Sequence, residues 1–238
     1  MKVYIGDCIT GMRGRVEGGS IDLVIADPPF GIGFDKVGKG GSYERNHDLV
    51  TDGYVEVPRE KYDSFTHDWL EQVYRCLKST GSAYLFSGWT NLPIMSANIE
   101  KIGFTLINHI IWRYQFGVFT KRKYSTSHYH VLFIVKDEKS YKFYKEHENE
   151  QIEDVWVFMR PYTKDVERYP TKLPPNVVKK CLQYSSREND IVMDPFLGSG
   201  TTLSVSNGMN RRFVGFEMNP MCRSLYESGT TDIECLPT

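Results

Sequence analysis

Residues 191–202 read IVMDPFLGSGTT. The run Ile191 to Met193 suits a buried strand, while Gly198 and Gly200 let the backbone turn tightly and approach a ligand with no side chain in the way. A helix is expected to follow. Strand, glycine turn and helix form the repeating unit of an open α/β sheet, in which ligands sit beyond the carboxyl ends of the strands. The rest of the chain keeps the alternation. Strand-like runs fall at Lys2 to Ile5, Ile21 to Ala26, Ser82 to Phe86, Phe104 to Trp112, His130 to Val135, Ile191 to Met193 and Phe213 to Phe216. Helix-like stretches fall near 59–79, 90–101, 174–186, 200–207 and 219–227. The pattern predicts a mostly parallel sheet with helices on both faces, class α/β, and a length of 238 residues predicts one domain over 1–238.

The charge around the glycine turn selects the ligand. A dinucleotide fingerprint wants a third glycine where Leu203 stands, and Asp194 puts negative charge where a pyrophosphate would lie. A phosphate-cradling Gly-Lys-Ser or Gly-Lys-Thr is absent. The turn therefore suits a cation or zwitterion. The next strand-like run, RFVGFE, ends in Glu217, at about the distance where nucleoside-binding sheets place a carboxylate for the ribose hydroxyls. Together these fit S-adenosylmethionine, a nucleoside with a sulfonium and an amino-acid tail. Taken singly, the glycines also read as an ordinary turn and Glu217 as a solvated strand end.

A second motif, IADPPF at residues 25–30, ends another apolar run. Pro28 and Pro29 cannot donate to a sheet ladder, so they stop the strand and hold an extended turn. The carbonyls of Asp27 and Pro28 and the Asp27 carboxylate are left as acceptors, with the flat ring of Phe30 beside them. A nucleobase amine needs such acceptors for its two N–H groups and a ring to stack on. Acceptors that favour a pyramidal amine, and orientation in line with a methylsulfonium, supply the reactivity with no covalent enzyme nucleophile. In isolation the same tetrapeptide reads as a stiffened turn with Asp27 as a cap.

The two motifs, one early and one late, resemble the β-class of amino-methylating DNA methyltransferases, which carry them in this permuted order. Gly6-Asp7-Cys8 looks like the family's segment beside the cofactor adenine, and Tyr169-Pro170-Thr171-Lys172-Leu173-Pro174 resembles its His-Pro-Thr-x-Lys-Pro element near the methionine end. Phe30 replaces the commoner tyrosine, and Leu173 shifts the expected lysine to Lys172. The resemblance implies a Rossmann-like, seven-stranded S-adenosylmethionine-dependent methyltransferase fold and transfer to the N6 amine of adenine in DNA, since cytosine enzymes more often have serine in place of Asp27. It implies Asp27, Pro28, Pro29 and Phe30 as the catalytic element. The cofactor set it implies is Asp7, Cys8, Asp27, Thr171, Lys172, Asp194, Phe196, Gly198, Ser199, Gly200, Thr201, Thr202, Glu217 and Asn219. The family's habits leave a homodimer and a cognate restriction endonuclease open as partners.

A net charge of −1 argues against wholesale coating of nucleic acid but permits a local basic patch. The stretch WRYQFGVFTKRKYSTSHYH supplies one, with Arg113, Lys121, Arg122, Lys123 and Tyr124 as candidate DNA contacts and Tyr114, Phe116 and Phe119 among them. Its plainer reading is a solvated turn with buried aromatics. A target inside a duplex must be flipped out to reach the cleft, at roughly a few kcal/mol. Segments 115–127 and 137–168 are candidates for target recognition, and 31–58, with six glycines, for a lid or plain disorder. His128 and His130 share a strand face, for which packing or a base contact is expected rather than a metal. Five scattered cysteines predict reduced thiols. No run approaches the roughly 20 apolar residues of a membrane span, and Met1 to Tyr4 lack a secretory apolar run, so an intracellular protein is expected. An N4-cytosine DNA methyltransferase, an RNA adenine methyltransferase, a cofactor-binding subunit without chemistry and a dinucleotide oxidoreductase are the competing readings.

Overall fold

A computed structural model of the chain describes residues 1–31, 56–114, 121–159, 172–227 and 232–237. In chain order the elements are β1 (Lys2–Ile5), α1 (Cys8–Arg15), β2 (Ile21–Ala26), a 3-10 turn (Arg59–Lys61), α2 (Tyr62–Cys76), β3 (Leu77–Ser87), α3 (Leu92–Ile102), β4 (Thr105–Arg113) and β5 (His128–Val135). They continue with β6 (Val155–Val157), α4 (Pro175–Ser185), β7 (Ile191–Asp194), α5 (Thr201–Gly208), β8 (Arg212–Glu217), a 3-10 helix (Pro220–Leu225) and β9 (Asp232–Cys235).

Among the described residues the strands form one sheet in the order β6-β4-β5-β3-β2-β7-β8-β1-β9. All neighbouring pairs are parallel except those of β5, which runs antiparallel to both β3 and β4. The expected α/β class and mostly parallel sheet are both present. Nine strands replace the expected seven because two short strands, β6 and β9, pair along the outer edges. Both are short and largely exposed, β6 burying only Trp156 and β9 nothing, so neither is long enough to mark a strand in sequence.

Packing follows from the two faces of the pleat. Leu23 and Ile25 of β2 join Phe86, Phe133 and the α4 residues Val177, Val178 and Leu182 on one face. Val24 and Ala26 join Leu85, Leu132 and the α2 residues Trp69, Leu70 and Val73 on the other, with Met95 and Ile99 of α3 and Met12 of α1. With both faces covered, every residue of β2 is buried. At the amino ends of the central strands, buried Asp22 pairs with Lys78 at 2.6 Å and accepts the Ile191 N–H at 2.9 Å, joining β2, β3 and β7.

The stretch expected as a helix at 219–227 is a 3-10 helix. Asn219 caps it through the Met221 N–H and Pro220 takes its first position, but six residues give too little length for an α-helical stripe. No helix among the described residues is long and apolar enough to cross a membrane.

Candidate active site

β2 and β7 are adjacent and parallel at the centre of the sheet, with Leu23 opposite Val192 and Val24 opposite Met193. The chain order reverses between them, which is the switch point where α/β sheets open a crevice. Asp27-Pro28-Pro29-Phe30 leaves β2 and Asp194 to Gly200 leaves β7 at the same edge. Two motifs some 165 residues apart in sequence are thus side by side because their strands pair.

The glycine turn is built as its residues require. Gly198 and Gly200 have φ of +51° and +78°, in the left-handed region that a β-carbon disfavours. Gly200 donates to Leu197 O at 2.9 Å, and Leu197 donates to Phe216 O at 2.9 Å, fixing the turn on β8. Glu217, at the end of β8, accepts the Gly198 N–H at 2.7 Å through Oε2 and the Asn219 N–H at 2.7 Å through Oε1. Its carboxylate therefore organises the turn while keeping further lone pairs. Asp194 is buried and accepts the Phe196 N–H at 2.9 Å. Burial, with Glu217 adding to it, pushes the Asp194 carboxyl up to about 7. Burial also raises Glu217, against the pull of the N–H groups of Asn219, Gly198 and Met218.

Two carboxylates, Asp194 buried and Glu217 half-buried, each raised by desolvation, favour a positively charged ligand and oppose a polyphosphate. The open space at Gly198, where an added β-carbon would come no nearer than 3.8 Å to other atoms, leaves the backbone approachable. These residues fit S-adenosylmethionine. Beside them, the side chain of Asp7 caps α1 through the Thr10 N–H at 2.9 Å, and the Gly6 N–H bonds Glu217 O at 2.8 Å. Cys8 is buried; burial raises its thiol, and the nearby Asp7, Glu217 and Asp194 raise it further. Ser199 and Thr201 share a hydroxyl contact at 3.1 Å. Phe196 turns its ring onto α2, edge-on to Trp69 at 5.2 Å and near Phe65 at 6.0 Å. Asn219 uses its side chain for the 3-10 cap.

In the other motif Pro28 is buried and Asp27, Pro29 and Phe30 are half-buried. The Phe30 ring lies 5.5 Å from that of Tyr129. Lys172 is exposed just ahead of α4, while Thr171, Tyr169 and Pro170 lie outside the described residues. Arg113 is exposed at the end of β4, and Lys121, Arg122, Lys123 and Tyr124 are exposed before β5. Arg113 and the start of β5 lie at the end of the sheet where β3 ends at Ser87 opposite His130. Tyr114 instead packs on Trp112 and Tyr129, at 5.7 and 5.3 Å. Phe116 and Phe119, most of 31–58, and 160–168 of the second recognition segment lie outside the described residues.

Sequence reading missed Tyr226, fully buried, whose hydroxyl donates to Gly198 O at 2.6 Å. It missed Glu56, Tyr62 and Asn91, which surround the end of the tetrapeptide, and no local pattern marks any of the four. It also missed His109, whose Nε2 lies 2.7 Å from His130 Nδ1. The ring of His128 sits 5.1 Å from that of His130. These imidazoles bond or meet edge to face, and among the described residues no group is arranged to hold a metal ion.

A family model described as DNA methylase matches residues 21–227. The type II methyltransferase M.HpaI of Haemophilus parainfluenzae is 31% identical over 222 residues, covering 86% of this chain and 66% of that protein. The DNA adenine methyltransferase YhdJ of Escherichia coli (strain K12) is 30% identical over 246 residues, covering 90% of this chain and 77% of that one. The type II methyltransferase M.HinfI of Haemophilus influenzae is 29% identical, with 63% of its length covered. The chain thus spans just under two thirds of M.HpaI and of M.HinfI. Among solved structures, the M1.HpyAVI–SAM complex superposes with a TM-score of 0.69 at 19% identity, covering 95% of this chain and all of that one. The cytosine-N4-specific PvuII DNA methyltransferase gives 0.74 at 16%, covering 98% and 94%. At these identities the structures establish a shared fold.

Proposed function

The chain belongs to the DNA methylase family, and from that premise we propose that it transfers a methyl group from S-adenosylmethionine to the N6 amine of an adenine flipped out of DNA. The observation that carries this reading is the pairing of β2 with β7, which sets an acceptor-rich tetrapeptide beside a turn electrostatically suited to a cation. The relative named as a DNA adenine methyltransferase supports the choice of base. Residues 1–238 act on this reading as one methyltransferase unit, with 115–127 and 137–168 contributing to target recognition. A homodimer and a cognate restriction endonuclease are further proposals that rest on the family's habits alone.

When bound, S-adenosylmethionine supplies a methyl carbon on a positively charged sulfur, which an amine can attack as the neutral thioether leaves. The chain's residues do the rest. Asp194 ionises against the cationic end, and the remaining lone pairs of Glu217 suit a ribose diol. Asp27 and the Pro28 carbonyl accept the amine hydrogens, drawing its lone pair out of conjugation and toward the methyl carbon. Phe30 stacks on the base and holds it in line, and orientation of this kind supplies much of the rate. After transfer the nitrogen carries one proton too many, and the Asp27 carboxylate hands it to solvent.

The test is methyl transfer from labelled donor to duplex DNA, with long-read sequencing of the product to identify base and context. Asp27→Ala is expected to abolish transfer, and donor binding measured alongside separates loss of the amine's acceptor from loss of a cofactor contact. Unchanged turnover in that variant removes Asp27 from its role. Label on RNA in preference to DNA replaces the substrate, and label on cytosine N4, the specificity named for the PvuII enzyme, replaces the base.

A further inference from the structure

Asn91 holds the N-cap position of α3, yet its side chain makes no capping bond, although asparagine is among the residues best suited to one. Its amide nitrogen donates instead to the carbonyl oxygen of Phe30. The N–H on the other side of that peptide bond, from Gly31, donates to Glu56 Oε1 at 2.8 Å. Carbonyl and N–H belong to one rigid plane, so two side chains from separate parts of the fold grip a single peptide at both of its polar atoms. Both are buried, at 5% and 6% exposure.

Tyr62 completes the arrangement. Its ring stands where a side chain on Gly31 would be, 2.4 Å from an added β-carbon, and Gly31 has a φ of +61°. The Thr66 hydroxyl donates to the Tyr62 backbone carbonyl at 2.7 Å, and burial, with Glu56 and Asp27 near, disfavours ionisation of the Tyr62 hydroxyl. Burying a carboxylate and an amide is costly unless each is well bonded, and surrendering a helix cap adds to that cost. Here the groups converge on the peptide that sets the direction in which Phe30 and the acceptors before it leave β2.

We propose that Glu56, Tyr62 and Asn91 form a brace of positioning residues that fixes the Phe30–Gly31 peptide and thereby the alignment of the target amine. The inference rests on the methyl-transfer reading above. The glycine turn is held by its own bonds to Phe216, Glu217 and Tyr226, so loss of the brace acts on alignment and spares donor affinity.

The test compares Glu56→Ala with Glu56→Gln, and Asn91→Ala with Asn91→Asp, in single-turnover methyl transfer alongside calorimetric binding of S-adenosylmethionine. Glu56→Gln keeps an oxygen for the Gly31 N–H and is expected to stay near wild type. Glu56→Ala and Asn91→Ala are expected to slow transfer by about 10- to 100-fold, the scale of a misplacement near 1 Å, with donor affinity unchanged. Asn91→Asp sets an acceptor against a carbonyl and falls as far. The brace is overturned if Glu56→Gln and Glu56→Ala behave alike, or if the loss appears in donor affinity. The exchange protection of the Gly31 amide, read by NMR, separates this outcome from failure of the functional reading. If the wild type methylates no nucleic acid, that reading fails, and the brace stands or falls on whether protection is lost in Glu56→Ala and kept in Glu56→Gln.

Discussion

Asp194→Asn is expected to change how stability responds to pH, by an amount that follows from burial. The Asp194 carboxyl ionises at about 7 in the fold against an ordinary value of 3.8. Between the two, the native protein keeps a proton that the unfolded chain has lost. The stability contributed by this group is therefore complete below about pH 4 and is lost as pH rises to about 7. At about 1.4 kcal/mol per pH unit the gap is worth roughly 4 kcal/mol, an upper bound because polar neighbours and water relax around a new charge. Asparagine keeps the shape and an oxygen for the Phe196 N–H but does not titrate. Glu217, raised by burial, acts with the same sign as Asp194, and His130, lowered to about 4 by burial and two neighbouring histidines, acts with the opposite sign. Both persist in the variant, so the difference between the two proteins reports Asp194 together with its coupling to Glu217. Urea unfolding between about pH 5 and 8 should show the variant gaining on the wild type up to about pH 7, then no further. Donor binding supplies a second readout: wild-type affinity for S-adenosylmethionine should strengthen over the same range as a cation ionises Asp194, and the variant should bind weakly at every pH. Parallel stability curves would refute the argument that this carboxyl is held protonated by burial.

Tyr226→Phe deletes the hydroxyl bonded to Gly198 O at 2.6 Å and should lower stability by about 1 kcal/mol in thermal unfolding, with weaker donor binding; full retention of both would show that the turn stands without it. Gly200→Ala forces a β-carbon onto a φ of +78° and to 3.2 Å from two Tyr226 ring carbons, for a loss of about 1–2 kcal/mol from the backbone alone, which a second change of Tyr226→Ala should not recover. Replacing Lys121, Arg122 and Lys123 by glutamine should weaken DNA binding and reduce its salt slope by about one for each phosphate no longer neutralised, leaving transfer at saturating DNA intact; an unchanged slope would mean that other cations meet the phosphates.

The central strands were legible because burial leaves a compositional mark. β1 and β2 match their expected bounds residue for residue, and β7 and β8 differ only at their ends. α1 was not legible, since CITGMRGR holds two glycines and no apolar stripe. Its start was nevertheless written in Asp7, three residues ahead of the Thr10 N–H that it accepts, a cap that a search for periodicity passes over. β6 and β9 escaped for the opposite reason to β2: β6 is three residues with only Trp156 buried, and β9 has no buried residue, so neither leaves enough of a compositional mark.

The site divides along the same physical line. A glycine at a left-handed φ or a proline at a strand end is a constraint on one residue's own backbone, so it shows in the residue type, and Gly198, Gly200, Pro28 and Pro29 were found that way. Tyr226, Asn91 and Glu56 are constrained by a partner reached only through the fold. Tyr226 meets Gly198 because the 3-10 helix after β8 folds back over the turn, and Asn91 meets Phe30 because β3 lies beside β2. Glu217 falls between the two kinds: its place at a strand end marked it as a nucleoside ligand, while its bonds to Gly198 and Asn219 add a structural task. A carboxylate with both tasks ties the shape of the turn to its ligand, so Glu217→Gln should disturb more than a ribose contact. Each carboxylate oxygen receives one backbone N–H, and an amide offers an oxygen to only one of them, leaving the other N–H facing a donor. Donor affinity and the thermal stability of the protein alone should therefore fall together in that variant, whereas a residue serving the ribose alone would lower only the first.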